Sequence, residues 1–295
     1  MPSVSAALAF ALAALAPAAT DPAAPAETVL HCGPLFDSVA GKLRGASTIV
    51  TSGGRIRSVE AGHAGVPGAR AIDLGHATCL PGLIDSHTHL TGETSPSGYT
   101  DQFRWNVADY AIRATVYARR TLQAGFTTVR NLGDNGGESV ALRDAINAGV
   151  VPGPRIYTAG SAIGSTGGHA DGTDGYRKDL AGDPGPKDGI INGADDAWKA
   201  VRQHYKDHVD LLKIMPSGGV LDESSSVDNA QMTDAEIAAV MAAAYDYGFS
   251  VAAHPHGAQA IRPAGRPGSA PASAWPGFPR HAPSCPWGGS DRGVA

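Results

Sequence analysis

From residue 27 to residue 73 short β-branched runs alternate with glycine-rich breaks. Thr28-Val29-Leu30 stops at Gly33-Pro34, Ser47-Thr48-Ile49-Val50 at Ser52-Gly53-Gly54, and Arg55-Ile56-Arg57-Ser58-Val59 at Glu60-Ala61-Gly62. Runs of this kind predict a small antiparallel sheet. The period then lengthens. A Pro-Gly turn leads into the apolar strand Leu83-Ile84-Asp85-Ser86-His87-Thr88-His89. From Asp101 to Ala124 apolar residues recur at helical spacing (Val107, Tyr110, Ala111, Ala114, Ala118, Leu122) and stop at Gly125. The alternation repeats as strand Phe126–Arg130, helix Glu138–Ala148, strand Arg155–Ala159, a long Gly-rich loop Gly160–Gly193, helix Ala194–Asp207, strand Val209–Met215, helix Asp234–Tyr247 and strand Ser250–His254. Strands alternating with helices through short turns predict an α/β protein with a parallel sheet and right-handed crossovers. Polar groups gathered at strand C-terminal ends point to a TIM-type (β/α)8 barrel. No G-x-G-x-x-G follows any strand, so a dinucleotide fold has no anchor. The barrel is incomplete, with about five βα units where closure takes eight.

The two ends read differently. Residues 1–20 hold the apolar segment ALAFALAALA followed by Pro17-Ala18-Ala19, too short to span a bilayer and shaped like a cleaved signal peptide with a weak n-region. That predicts a secreted or periplasmic protein, with no membrane partner once the signal is removed. From Arg262 to Ala295 the chain is Pro, Gly, Ser and Ala without period, and its four arginines face the single acid Asp291. Such a tail is expected to be disordered, the mark of a frameshift or truncation, with a natural low-complexity tail as the alternative. The expected organisation is therefore 1–20 signal peptide, 27–75 small antiparallel sheet, 76–261 incomplete barrel and 262–295 tail.

Composition narrows the partners. An apolar share of 42% in 295 residues can bury a core, and a net charge of −5 without a basic patch argues against nucleic acid. Cys32, Cys79 and Cys285 are far apart and odd in number, so no disulfide framework is visible, and Cys79 reads as a small buried residue.

Candidate chemistry lies at the strand ends. His87 and His89 are two residues apart on one strand, so both imidazoles can face one point, as a metal ion requires. Lys213 follows two leucines inside a strand, where an ammonium is costly to bury. His254 ends the last apolar run, His256 follows two residues on, and His169 sits in the Gly-rich loop.

The phrase LPGLIDSHTHL resembles the first-strand signature of the amidohydrolase superfamily. TTVRNLGD, GPRIYTAGSAIGSTGGHAD and LLKIMPSGGV look like its imidazolonepropionase-related, Xaa-Pro dipeptidase-like branch. The resemblance covers about residues 28–261. It implies a hydrolase of carbon–nitrogen bonds acting on a small amide, a dipeptide or an N-acyl amino acid, an enzyme that can be oligomeric. It also implies a β-sandwich flanking the barrel and Zn2+, two ions bridged by carboxylated Lys213, with His87, His89 and His254 as further metal ligands. His169 and His256 would then face substrate. The superfamily's sixth-strand histidine and eighth-strand aspartate, the proton acceptor, have no counterpart here, so the catalytic residue stays unassigned. A catalytically inactive truncated fragment is the alternative.

Overall fold

The computed structural model describes residues 27–134, 136–220, 226–256 and 260. The expected signal peptide and the expected tail lie outside the described residues. The chain divides into two compact units that meet at the 81/82 boundary.

The N-terminal unit is a four-stranded sheet of β1 (Thr28–Asp37), β2 (Lys42–Ser52), β3 (Arg55–Ala61) and β4 (Arg70–Leu74), in the order β3-β2-β1-β4. β2 and β3 join through Gly53-Gly54, both at positive φ (57° and 73°), which the right-handed twist of a two-residue hairpin demands. The sheet is mixed, because β4 runs parallel to β1 and only the other pairs are antiparallel. Gly33-Pro34 does not end the first strand as expected. β1 continues to Asp37 with register shifts on both sides of Pro34, the bulge that admits a residue without an N–H. Residues 77–79 run alongside: Gly33 N–H donates to Ala77 O (3.1 Å), Cys79 N–H to Pro34 O (2.8 Å) and Phe36 N–H to Cys79 O (2.9 Å).

That alignment corrects the reading of the cysteines. Cys32 and Cys79 form a disulfide across 47 residues, with Cα atoms 5.8 Å apart. Cys32 is fully buried and Cys79 only half-buried. The pairing follows from the parallel bridge between Leu35 and Cys79, a long-range contact that spacing alone does not reveal.

The C-terminal unit holds the βα units: β5 (Leu83–Thr88), α1 (Gly98–Asp101), α2 (Val107–Gln123), β6 (Phe126–Asn131), α3 (Glu138–Asn147), β7 (Arg155–Thr158), β8 (Gly164–Ser165), α4 (Lys178–Ala181), β9 (Ile190–Ile191), α5 (Ala194–Lys206), β10 (Leu212–Ile214), α6 (Asp234–Tyr247) and β11 (Val251–Ala253). The expected helix 101–124 is split. Asn106 N–H donates to Asp109 Oδ2 (2.8 Å) in a capping box that starts α2 at Val107. The expected Gly-rich loop carries a two-residue parallel ladder, β8 with β9.

β5, β6 and β7 form one parallel sheet and β10 and β11 another. Between them the contact is made by single residues. Asp210 N–H donates to Thr158 O (2.8 Å), Thr158 N–H to Asp210 Oδ2 (2.9 Å), and Ile163 N–H to Lys213 O (2.8 Å). Neighbours thus follow chain order from β5 to β11, and no closed barrel exists among the described residues. One sheet face packs on helices: Leu212, Ile214 and Val251 meet Ala197, Val201, Val240 and Ala244. The opposite face gathers Leu132, Ala159, Leu211 and Ala252. By strand alternation Arg130, Lys213 and His254 share that second face.

The Asp210 carboxylate also accepts from Arg143 Nη1 (2.8 Å), which in turn donates to His208 O (2.8 Å). Arg143 is nearly buried. Asp210→Ala removes one partner of that pair and one acceptor of the β7 backbone, and is expected to cost about 2–3 kcal/mol. Urea unfolding reads this directly. A change under about 1 kcal/mol, the size of an exposed ion pair, would show that the junction does not depend on the carboxylate.

Candidate metal centre

Of the four expected metal ligands, His87 lies near the end of β5 and Lys213 in the middle of β10, while His89 and His254 directly follow β5 and β11. Lys213 has no solvent exposure at all. Its Nζ has no hydrogen-bond partner, and neither does the buried Nε2 of His254. Burial, then the nearby Arg130 guanidinium, pushes Lys213 down to about 8. The protein packed around His87, then the charge of Lys213, pushes that imidazole down to about 4, and the same two causes, with His169 and His256 added, bring His254 to about 4. His89 keeps solvent-exposed surface, yet the partial desolvation of its ring lowers it, against the opposing pull of its hydrogen bond to Gly133. Neutral imidazoles present a lone pair at neutral pH, the form a metal takes.

The charge of Lys213 acts on all three imidazoles, His87, His89 and His254. The His87 and His89 rings lie 5.4 Å apart by centroid. His89 Nδ1 faces Gly133 O at 3.3 Å, and a backbone carbonyl on one ring nitrogen leaves the other for a ligand role. Among the described residues no three His, Cys, Asp or Glu side chains are spaced to hold an ion. The side chain of Lys213 ends in an amine, which is not among those types.

His169 and His256 join the cluster. The rings of both lie 4.7 Å from that of His254. Ser217, fully buried after β10, accepts from His256 N–H (3.0 Å) and donates to His254 O (3.4 Å). It ties the lysine strand to the histidine strand. Asp134 and Asp171, which match no ligand strand, are engaged elsewhere. Asp134 accepts from Gly137 N–H, Ser139 N–H and the Ser139 hydroxyl, and Asp171 accepts from Gly167 and Thr173. Sequence reasoning missed Arg130, whose Nε donates to Ser86 O at 2.6 Å. Its signal was present, since Val129 lies in the helix-side core and alternation turns Arg130 the other way. Ser217 carried no comparable signal.

Parallel strands alternating with helices, with polar groups collected at strand C-terminal ends, define a mixed α/β protein. Residues 78–264 match the amidohydrolase family, and the chain belongs to it. Over 250 residues it is 28% identical to ochratoxinase of Aspergillus niger, covering 79% of this chain and 51% of that protein. The crystal structure of a Xaa-Pro dipeptidase with methionine bound in its active site superposes with a TM-score of 0.76 at 40% identity, over 81% of this chain and 59% of that one. A prolidase complexed with N-methylphosphonate-L-proline gives 0.70 at 30% identity, over 81% and 58%. The chain spans between 51% and 59% of the length of these relatives.

Proposed function

We propose that the protein is a metal-dependent hydrolase of amide or peptide bonds whose substrates are dipeptides or N-acyl amino acids. The observation that carries this reading is Lys213, wholly buried with an unpartnered Nζ beside the unpartnered Nε2 of His254. Orphaned buried polar atoms are rare and costly in folded proteins, and two of them together fit a group that binds both. His87, His89, His254 and carboxylated Lys213 would hold Zn2+, two ions bridged by the lysine. When bound, the metal acidifies water and polarises a carbonyl. Carboxylation fits the site because addition of CO2 to neutral Nζ forms an N–C bond and releases a proton. A buried cation is thereby replaced by an anion that attracts a dication.

The remaining residues orient. His169 and His256 flank His254 and would meet polar groups of the substrate, while Ser217 holds the His254-Pro255-His256 corner in place. The similarity to a Xaa-Pro dipeptidase and a prolidase supports the substrate class. Export from the cytoplasm is part of the proposal, supported by the Cys32–Cys79 disulfide, since such bonds persist in oxidising compartments.

The test is hydrolysis of a panel of Xaa-Pro dipeptides and N-acyl amino acids in bicarbonate buffer, with metal content measured in parallel. Turnover abolished by a chelator and restored by Zn2+ is expected. Turnover indifferent to chelator, or no bound metal after Zn2+ loading, would refute the reading.

A further inference from the structure

Gly219 lies in the loop after β10, and its backbone does not require a glycine, since its φ is outside the left-handed region. It is nonetheless buried. The space where a side chain would begin is already taken. A Cβ on Gly219 would stand 2.3 Å from His169 Cε1, 2.6 Å from its Nε2 and 2.8 Å from its Nδ1. The glycine is therefore needed for the imidazole that lies on it. The same ring touches His254, with centroids 4.7 Å apart.

The backbone of the His169 loop is held from the same side. His169 N–H donates to Gln231 Oε1 (2.9 Å), and Gln231 N–H donates to Pro216 O (2.8 Å). Ser217 pairs with Ala230 as an isolated bridge, so the segment bearing Gln231 is stitched to the β10 loop at two successive residues, Pro216 and Ser217. The His169 loop approaches closely enough that a Cβ on Gly168 would be 3.2 Å from Gln231 Oε1.

We propose that Gly219 and Gln231 are positioning residues that seat the His169 ring against His254, so that the size of residue 219 sets how His169 meets the substrate. The inference rests on the reading of His169 as substrate-facing. Gly219 acts by leaving room for the ring and Gln231 by fixing its loop. An imidazole is the far end of a rotatable side chain, so a methyl at 219 displaces the ring and leaves the backbone where it is.

The experiment uses the full chain with 13C-labelled histidine, at one fixed pH, with and without added Zn2+. Signals are assigned through His169→Ala. Gly219→Ala should move the His169 and His254 Cε1–H signals while the melting temperature stays close to that of the parent. In a His169→Ala background the same methyl enters vacated space and should leave the His254 signal unmoved. Hydrolysis by Gly219→Ala should fall on the order of 10-fold in kcat/KM, within the range expected for a displacement of about 1 Å. Unmoved ring signals in Gly219→Ala, or a His254 signal that moves equally when His169 is absent, would overturn the proposal. If Gly219→Ala does not fold, Gln231→Ala decides, since it must shift the His169 signal and an unchanged signal overturns the idea. A lack of hydrolysis in every variant counts against the hydrolase reading and leaves the ring positions to judge this one.

Discussion

Lys213→Met is expected to remove the bound metal and lower hydrolysis by more than about 100-fold, beyond what the loss of an outer-shell partner costs, while making the metal-free protein more stable. The opposed signs follow from one fact. Lys213 is buried with its Nζ unpartnered, so the folded chain carries a desolvated polar group that methionine, of similar shape, does not bring. Relief on the order of 1–2 kcal/mol is expected. The pH dependence follows from the lowered lysine value. The folded form releases its proton at about 8 and the unfolded form at the ordinary 10.5. Between those values the unfolded state binds more protons, so stability of the metal-free protein should rise as pH increases through that window. The penalty is fully present below about 8. Lys213→Met should lack the rise. Chemical unfolding at several pH values checks the stability, and metal analysis with a dipeptide assay checks the loss. A variant that keeps its metal and its turnover would remove Lys213 from the centre.

Reduction of Cys32–Cys79, or Cys32→Ser, is expected to destabilise the N-terminal sheet by about 4 kcal/mol, the chain-entropy value for a loop of this length. The bond closes 47 residues that include β2, β3 and β4, so the unfolded ensemble of nearly the whole unit is constrained by it. Denaturant melts with and without reductant, followed by a probe in that unit, give the difference. Identical curves would mean that the strand pairing of residues 77–79 with β1 suffices alone.

Most of the C-terminal unit was legible because its elements end on residues with only one good use. Gly125, Gly149 and Gly248 stop helices at positive φ. Thr233 and Glu236 cap α6 reciprocally, at 2.8 Å and 3.2 Å, and α6 has the bounds expected from its pattern. The histidines and the lysine were legible because strand ends expose what a strand presents. What stayed hidden depends on contacts between distant residues. Pro34 read as a terminator and proved to be a bulge, since the segment that accommodates it lies more than forty residues later. Ser217 and Gln231 act on partners 37 and 62 residues away. A serine or glutamine in a loop has many roles, and nothing in its neighbours in sequence selects one.

β5 has a single ladder neighbour, β6, among the described residues, and Leu83 and Ile84, on opposite faces of its open side, are 46% and 52% exposed. An unpaired strand edge is a template for another strand. Any parallel strand that lies there will run about 4.8 Å from β5. The stretch of it that lies level with the end of β5 then stands beside His87 and His89. The edge therefore acts as a ruler: the register of whatever pairs with it decides which side chain reaches the histidines, and a slip of one residue would turn that side chain to the other face.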